Sequence, residues 1–277
     1  MPSLRRSGLV GICVLIGVAS ALSMIKSTPA GSVGARHARC SAPPQAGANY
    51  SNCNLTGVNF TNADLAGANL KKATLTGAAL GGADLSGATL TRVVSGAIGG
   101  TPASLPSDWA VVDGYLVGPL ANLTGANLSG ASLEGADLLK VNFASANLSG
   151  SDLTDATLKG TDLQGTVLAG ATLTGIKSGG KIIGTPASLP PNWALVGATV
   201  RYLVGPAANL AQGDFYGTNL AGTDLTDANL FGANFSFANL NGADLTGATL
   251  TGVTWSDTTC PDGTNSNNDA NTCVNNL

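Results

Sequence analysis

A five-residue period runs through most of this chain. Leucine, or in a few places phenylalanine or tryptophan, occupies every fifth position from 55 to 90, from 123 to 173 and from 210 to 255. Alanine usually stands two places before this central residue, and glycine usually stands two places after it. A fixed period over so many successive units indicates one small structural unit stacked many times.

A period of five fits neither a straight helix nor a straight strand. Successive central residues would be rotated by about 140° around a helix, and they would alternate between the two faces of a strand because five is odd. The chain must therefore turn a corner in every unit. Ala63 and Leu65 would share one side, with Asp64 on the other. Ala66 and Gly67 would make the bend, where glycine tolerates a positive φ.

Aromatic residues indicate how many units make one coil. Phe215, Phe235 and Trp255 hold central positions at a constant interval of four units. This spacing predicts four sides per coil and one aromatic column, with chance placement of three bulky residues as the alternative. We expect a narrow tube lined by alternating small and large apolar side chains.

The repeated text resembles the pentapeptide-repeat family, whose motif is Ala, then Asp or Asn, then Leu and two variable residues. The match recurs in register at Ala68-Asn69-Leu70, Ala83-Asp84-Leu85, Ala126-Asn127-Leu128, Ala136-Asp137-Leu138 and Ala243-Asp244-Leu245. The resemblance implies an all-β fold, a right-handed quadrilateral parallel β-helix (a solenoid). At four units per coil, the 29 units of the three runs would form about seven coils.

The segment from Met1 to Ala30 is typical of a secretory signal. Arg5 and Arg6 precede an apolar stretch from 9 to 18, and small residues suited to cleavage end at Ala21 or Ala30. The stretch is short for a membrane span of about 20 residues, and an uncleaved signal anchor is the alternative. We expect an exported protein, extracellular or in the cell envelope. The remaining chain is acidic, which disfavours nucleic acid or an anionic membrane as a direct partner.

Four cysteines follow the signal, in two terminal pairs. Cys40 and Cys53 are 13 residues apart, and so are Cys260 and Cys273. Disulfides are expected in an exported chain, and of the three connectivities local pairing suits an elongated rod. We expect two disulfide caps over the ends of the β-stack, where unpaired strand edges need cover. A metal or redox site is disfavoured because the cysteines form no C-x-x-C motif and lack a set of histidine ligands.

Two segments that share a common sequence interrupt the five-residue period. Gly-Thr-Pro-Ala-Ser-Leu-Pro at 100–106 and 184–190 is followed by Trp109 or Trp193, and then by Tyr-Leu-Val-Gly-Pro at 115–119 or 202–206. Asp113-Gly114 between two apolar runs predicts a hairpin turn. We expect two inserted β-hairpin units that project or fold back on the stack. The tryptophans would be packed anchors or, alternatively, exposed recognition contacts.

These patterns divide the chain into eight segments. They are a signal peptide (1–30), an N-terminal segment with a disulfide cap (31–53), a first run (54–92), a first hairpin insert (93–120), a second run (121–175), a second hairpin insert (176–207), a third run (208–257) and a C-terminal disulfide cap (258–277). Because the units of a solenoid contact only their neighbours, we expect one continuous stack.

Residues suited to catalysis are scarce. His37 is the only histidine and Glu134 the only glutamate, so a Ser–His or Cys–His system has no credible base. Eight aspartates precede a central residue and would face outward, stacked in pairs such as Asp64 with Asp84, but nothing indicates a cleft. The polar tail at 262–271 lacks the glycine and the closing glutamate of a calcium loop. We expect no enzyme activity, no cofactor and no metal site.

Three aromatic residues occupy corner positions that normally hold Ser, Thr, Gly or Asn. Tyr216, Phe231 and Phe237 would expose rings that stack on a sugar or dock a partner, unless the second hairpin covers them. With Trp109 and Trp193 they form the candidate partner patch. We therefore expect a non-enzymatic scaffold or binding module whose partner is a surface protein or a polysaccharide.

Two other functions suit a flat β-stack. Some cytoplasmic members of the family resemble B-form DNA in shape and charge and interact with DNA gyrase, which the export signal disfavours here. Ice binding would need an unbroken threonine ladder. At 20-residue spacing, however, Thr61 meets Gly81 and Thr251 meets Phe231.

Overall fold

The stack is built by parallel backbone pairing between residues 20 positions apart. The computed structural model describes residues 40–276, and in it Asn54 pairs with Thr74, which in turn pairs with Val94. We call each such series of paired residues a column. Each 20-residue stretch of a run contributes to four columns, which begin at 49, 54, 59 and 64 in the first run. The spacing inferred from the aromatic residues is therefore the spacing of the pairing. The expected signal peptide (1–30) and His37 lie outside the described residues.

Each unit turns at the two residues that follow its central residue. After Leu65, Gly67 adopts φ 64° and donates its N–H to the carbonyl oxygen of Ser86 on the next coil at 2.7 Å. The N–H of Ala68 closes the turn on the carbonyl oxygen of Leu65 at 2.9 Å. The corner therefore bends the chain and links it to the next coil, and a positive φ at this position favours glycine.

The central residues line the inside of the stack, as the period predicts. The leucines at 65, 70, 75, 80 and 85 are completely buried. Phe215, Phe235 and Trp255 form the expected column, with ring centroids 5.2 Å and 5.4 Å apart. Tyr202 of the second insert extends this column, since its ring lies 4.6 Å from that of Phe215.

The two inserts contain the β-hairpins that the sequence predicts. Strand β1 (Ala110–Val112) pairs antiparallel with β2 (Tyr115–Val117), and β3 (Ala194–Val196) pairs antiparallel with β4 (Tyr202–Val204). A short 3-10 helix, Ser266–Asn268, lies in the C-terminal segment.

Each hairpin lies between two coils rather than projecting from the stack. Leu116 and Leu203 are completely buried, and the N–H of Leu116 donates to Oγ of Ser95 at 2.8 Å. Because side chains of a strand alternate between its faces, Leu116 packs into the core formed by 48–98 while Val117 packs into the core that continues to the C-terminal cap. The first hairpin therefore partitions the apolar interior.

Each insert leaves one column of the stack directly paired. At the first insert the N–H of Asn122 donates to the carbonyl oxygen of Val93 at 3.0 Å, and at the second Asn209 donates to Ile176 at 3.0 Å. We call the first the Asn122 column; it continues through residues 142, 162 and 183. We call the second the Lys177 column, in which Lys177 pairs with Thr157. On the other sides the hairpins fill the space between coils.

Two disulfides lie at the two ends of the described chain. They join Cys40 to Cys53 and Cys260 to Cys273, with Cα atoms 5.4 Å and 5.3 Å apart. This is the local pairing that the sequence favours. No helix among residues 40–276 has the length and apolar character needed to cross a membrane.

Candidate binding surfaces

The outward Asn and Asp side chains support their own corners. Oδ1 of Asp152 accepts hydrogen bonds from the N–H and the hydroxyl of Thr154, at 3.0 and 2.6 Å, and Asn54 holds Thr56 in the same way. The aspartates also stack as the 20-residue spacing predicts, since Asp64 pairs with Asp84. Much of the outward polar surface therefore has a structural role in forming turns.

These hydrogen bonds lower the pKa of four aspartates. The Ser104 hydroxyl is the main cause for Asp84, followed by the N–H of Ser86. Hydrogen bonds from the threonine two residues further on lower the pKa of the other three, which are Asp152, Asp244 and Asp262. These carboxylates are therefore ionised at neutral pH and cannot serve as proton donors. Within residues 40–276, no group of three or more His, Cys, Asp or Glu side chains could hold a metal ion.

Tyr216 and Phe237 form an exposed aromatic pair. Their ring centroids lie 5.2 Å apart, and the side chains are 61% and 52% exposed. Tyr216 also borders a groove of about 660 Å³ beside the loop at 195–200 of the second insert. The second hairpin therefore leaves both rings accessible.

Phe231 lies on the other edge of the same side of the stack. Asp214 pairs with Asn234, and this column has the corner of Phe231 before it and the corners of Tyr216 and Phe237 after it. Phe231 is 49% exposed. The three aromatic residues thus flank one column of polar side chains.

Trp109 and Trp193 belong to the packing of the hairpins. Both are half-buried and lie against the apolar core. A Cβ added to Gly118 would lie 2.4 Å from the ring of Trp109, and one added to Gly205 would lie 2.4 Å from that of Trp193. Each ring thus lies directly on a glycine, and neither joins the aromatic pair.

Sequence reasoning missed the role of the two insert tyrosines. The hydroxyl oxygen of Tyr115 accepts the N–H of Asn127 at 3.1 Å, and that of Tyr202 accepts the N–H of Asp214 at 3.0 Å. Where a hairpin separates two coils, these hydroxyls accept hydrogen bonds from coil N–H groups that elsewhere donate to a carbonyl oxygen of the neighbouring coil. The duplicated tyrosine was the signal for this role.

Sequence reasoning also missed a basic corner. It comprises Lys71, Lys72, Arg92, Lys140, Lys159 and Lys181, which lie on the corner that leads into the Asn122 column. Lys72, Arg92, Lys140 and Lys181 have positive φ values of 57°, 58°, 54° and 66°. Cations at corner positions that usually hold glycine were the available signal.

The fold and the outer surface are those of a stacked repeat protein. The family description "Pentapeptide repeats" matches residues 47–92, 121–160, 151–175, 207–236 and 228–258, in eight copies. These matches cover more than half of the chain, which therefore belongs to the pentapeptide repeat family. No curated protein matches the chain in sequence.

Three solved structures are among those to which the chain is similar. HetL of the cyanobacterium Nostoc sp. strain PCC 7120, a pentapeptide repeat protein involved in heterocyst differentiation regulation, is 25% identical, with 83% of this chain and 97% of HetL covered and a TM-score of 0.27. Rfr23 of the cyanobacterium Cyanothece 51142 is 26% identical, with coverage of 50% and 82% and a TM-score of 0.15. Full-length QnrB1, a plasmid-mediated fluoroquinolone resistance protein, is 14% identical, with coverage of 70% and 90% and a TM-score of 0.23.

Proposed function

We propose that this chain is an exported, non-enzymatic scaffold or binding module that works outside the cell or in its envelope. Two disulfides suit an oxidising compartment, and the segment from Met1 to Ala30 has the pattern of a secretory signal. The proposal includes the finer form of the fold: about seven right-handed coils, each closed on four sides, with the disulfide segments as caps.

The main support for a binding role is the backbone conformation of Phe237. Phe237 has φ 61°, whereas the residues that stack on the same corner are Gly217 and Asp257. A bulky residue at positive φ is uncommon and strained. Its ring stays half exposed beside Tyr216, so burial offsets little of this strain. Contact with a partner accounts for an aromatic residue here.

The partner that we propose is a surface protein or a polysaccharide. Exposed aromatic rings on a rigid β-surface offer flat apolar contact to either. The DNA-mimicking, gyrase-interacting alternative requires a cytoplasmic location, and the proposed export signal argues against it.

A pull-down with the mature protein tests this function. The bait is compared with a triple variant that carries Tyr216→Ser, Phe231→Thr and Phe237→Gly. Each replacement is the residue found at an equivalent stacked corner, namely Ser236, Thr251 and Gly217. We expect the wild type to retain one glycan or surface protein from envelope and extracellular fractions, and the folded triple variant to lose it. Equal capture by both baits, or selective capture of gyrase, would contradict the proposal.

Export has a separate test. N-terminal sequencing of the protein recovered from the medium or envelope should give a start at Leu22 or Gly31, the residues after the two cleavage motifs. Full-length protein confined to the cytoplasm would rule the localisation out.

A further inference from the structure

The basic residues of this acidic protein are concentrated on one edge of the stack. The sequence has thirteen Lys and Arg residues, of which five precede Cys40. Six of the remaining eight form the basic corner. Of the other two, Lys177 lies on the adjoining column, and Arg201 donates to the carbonyl oxygen of Gly184 and the hydroxyl of Thr185 at 2.7 and 3.2 Å. Among residues 40–276, one edge of the stack is therefore positive, whereas the described residues together carry more acidic than basic side chains.

Backbone hydrogen bonds fix the order of these cations along the stack. The N–H of Lys72 donates to Thr91, that of Arg92 donates to Leu120, and that of Lys140 donates to Lys159, at 2.8–2.9 Å. Leu120 lies between the coils of Arg92 and Lys140, because its own N–H donates to the carbonyl oxygen of Leu139. At about 4.8 Å per coil, Arg92 and Lys140 are therefore separated by about 10 Å along the axis.

Lys181 continues this row at the same interval. Ile183 pairs with Asp162, which places Lys181 above Gly160, and Gly160 lies above Lys140, whose Cγ would lie 3.0 Å from a Cβ added to Gly160. Lys140 and Lys181 are thus also two coils apart. Arg92, Lys140 and Lys181 thus form a row with a spacing of about 10 Å. Lys72 and Lys159 lie on the same corner, one coil from Arg92 and from Lys140 respectively.

The basic corner adjoins the column that stays paired at each insert. The first insert keeps the Asn122 column paired and the second keeps the Lys177 column paired, while hairpins separate the coils elsewhere. These two columns meet at the basic corner. A groove of about 700 Å³ lies there, lined by Arg92, Asn122, Lys140, Asn142, Asp162 and Ile183, among others.

The remaining lining suits a chain that carries hydroxyl groups. Oδ1 of Asn122 and of Asn142 accepts N–H groups of the corners that follow. The amide Nδ2 of each finds no acceptor among residues 40–276, so two donors are available in the groove. The carboxylate of Asp162 accepts hydrogen bonds only, and Ile183 is 56% exposed as an apolar surface.

Charge density distinguishes the occupant from nucleic acid. Duplex DNA carries one charge per about 1.7 Å of its axis, and sixteen acidic residues on this chain would repel so dense a polyanion. A uronic-acid polysaccharide carries at most one carboxylate per sugar, so its charges are spaced more widely than those of DNA, and its hydroxyls suit the Asn and Asp side chains of the groove. We propose that the groove binds a linear uronic-acid polysaccharide whose strand runs along the stack axis. The inference rests on the proposed binding function and names the partner class.

Titration with a de-esterified oligogalacturonate tests the proposal by calorimetry. The matched ligand is the methyl-esterified oligomer, which keeps the sugars and loses the charge. The groove variant combines Arg92→Gln and Lys140→Gln; Gln212 occupies an equivalent corner at φ 60°, so the fold should accept glutamine there. The control variant is Lys177→Gln, which removes a charge outside the basic corner and the groove lining; the single variant Lys140→Gln removes the same charge within the groove.

We expect the wild type and the control variant to bind the charged oligomer, the groove variant to bind it about tenfold more weakly, and the ester to bind much less. Absence of binding to the wild type, equal binding of the ester, equal loss in the control variant and in Lys140→Gln, or unchanged binding by the groove variant would overturn the proposal. Equal binding of inorganic polyphosphate or a DNA oligonucleotide would also overturn it, because the groove would then be a general polyanion site. The two proposals can fail separately. If the oligogalacturonate does not bind, but the triple variant of Tyr216, Phe231 and Phe237 still loses a partner that the wild type captures, the binding function stands and only the groove assignment is wrong.

Discussion

Replacing Phe235 tests whether the aromatic column is a continuous part of the core. Phe235 is completely buried between Phe215 and Trp255. Phe235→Ala should lower the free energy of unfolding by about 3–5 kcal/mol, the usual cost of removing a buried phenylalanine ring. Phe235→Leu should cost roughly 1–2 kcal/mol, because leucine is the usual central residue and only the ring contacts are lost.

Phe237 supplies the matched control, since it is the same residue type two positions away and is half exposed. Phe237→Ala should change the free energy of unfolding by less than about 1 kcal/mol. The assay is urea unfolding followed by far-UV circular dichroism, with linear extrapolation to water and comparison of the m-values. A cost below about 1 kcal/mol for Phe235→Ala, or equal costs for alanine and leucine, would refute a packed column.

Three further perturbations follow from particular contacts. Gly205→Ala places a Cβ 2.4 Å from the ring of Trp193, and thermal unfolding should show a loss of roughly 1–3 kcal/mol; an unchanged midpoint would mean that the tryptophan is not seated on the glycine. The double variant Cys260→Ser and Cys273→Ser opens a loop with a sequence separation of 13 and should lose about 3 kcal/mol in the urea assay, whereas a reductant should then have no further effect at that cap. Hydrogen bonds lower the pKa of Asp84 and three other aspartates below the ordinary value of 3.8. The ionised carboxylates therefore stabilise the folded state fully above about pH 4, and this stabilisation is lost as the pH falls through the folded-state pKa values. A melting temperature that does not fall between pH 5 and pH 2 would contradict this prediction.

The repeat itself was predictable because its chemistry is local. A central leucine every fifth residue requires a corner, and Gly67 shows that corner at positive φ. The spacing of Phe215, Phe235 and Trp255 gave the 20-residue pairing. Asp113-Gly114 gave the turn of the first hairpin. The position of the hairpins between coils was beyond sequence reasoning, because it depends on contacts such as that between Leu116 and Ser95, which no period connects.

The two candidate surfaces also differ in whether the sequence could predict them. Tyr216 and Phe237 are separated by one regular coil and a single further position, so the repeat brings their corners together, and their proximity could have been read from the sequence. The separation of Arg92 and Lys140 is not a whole number of regular coils. They align only because the first insert makes the path between the paired Val94 and Asn122 longer than one regular coil. The basic corner therefore becomes visible only when the path of the insert is known.

The length of the second run determines how the two inserts act together. The paired positions advance from Asn122 to Lys177 in eleven steps of five residues, each step leading to the next column. Eleven steps are two full circuits of the four columns and three further steps. The second insert therefore begins one column before the column that the first insert leaves paired. A twelve-step run would leave the same column paired at both inserts. With eleven steps the two paired columns are neighbours, and the corner between them is the one that carries Arg92, Lys140 and Lys181. The number of units between the two copies of the insert therefore determines which corner adjoins both paired columns.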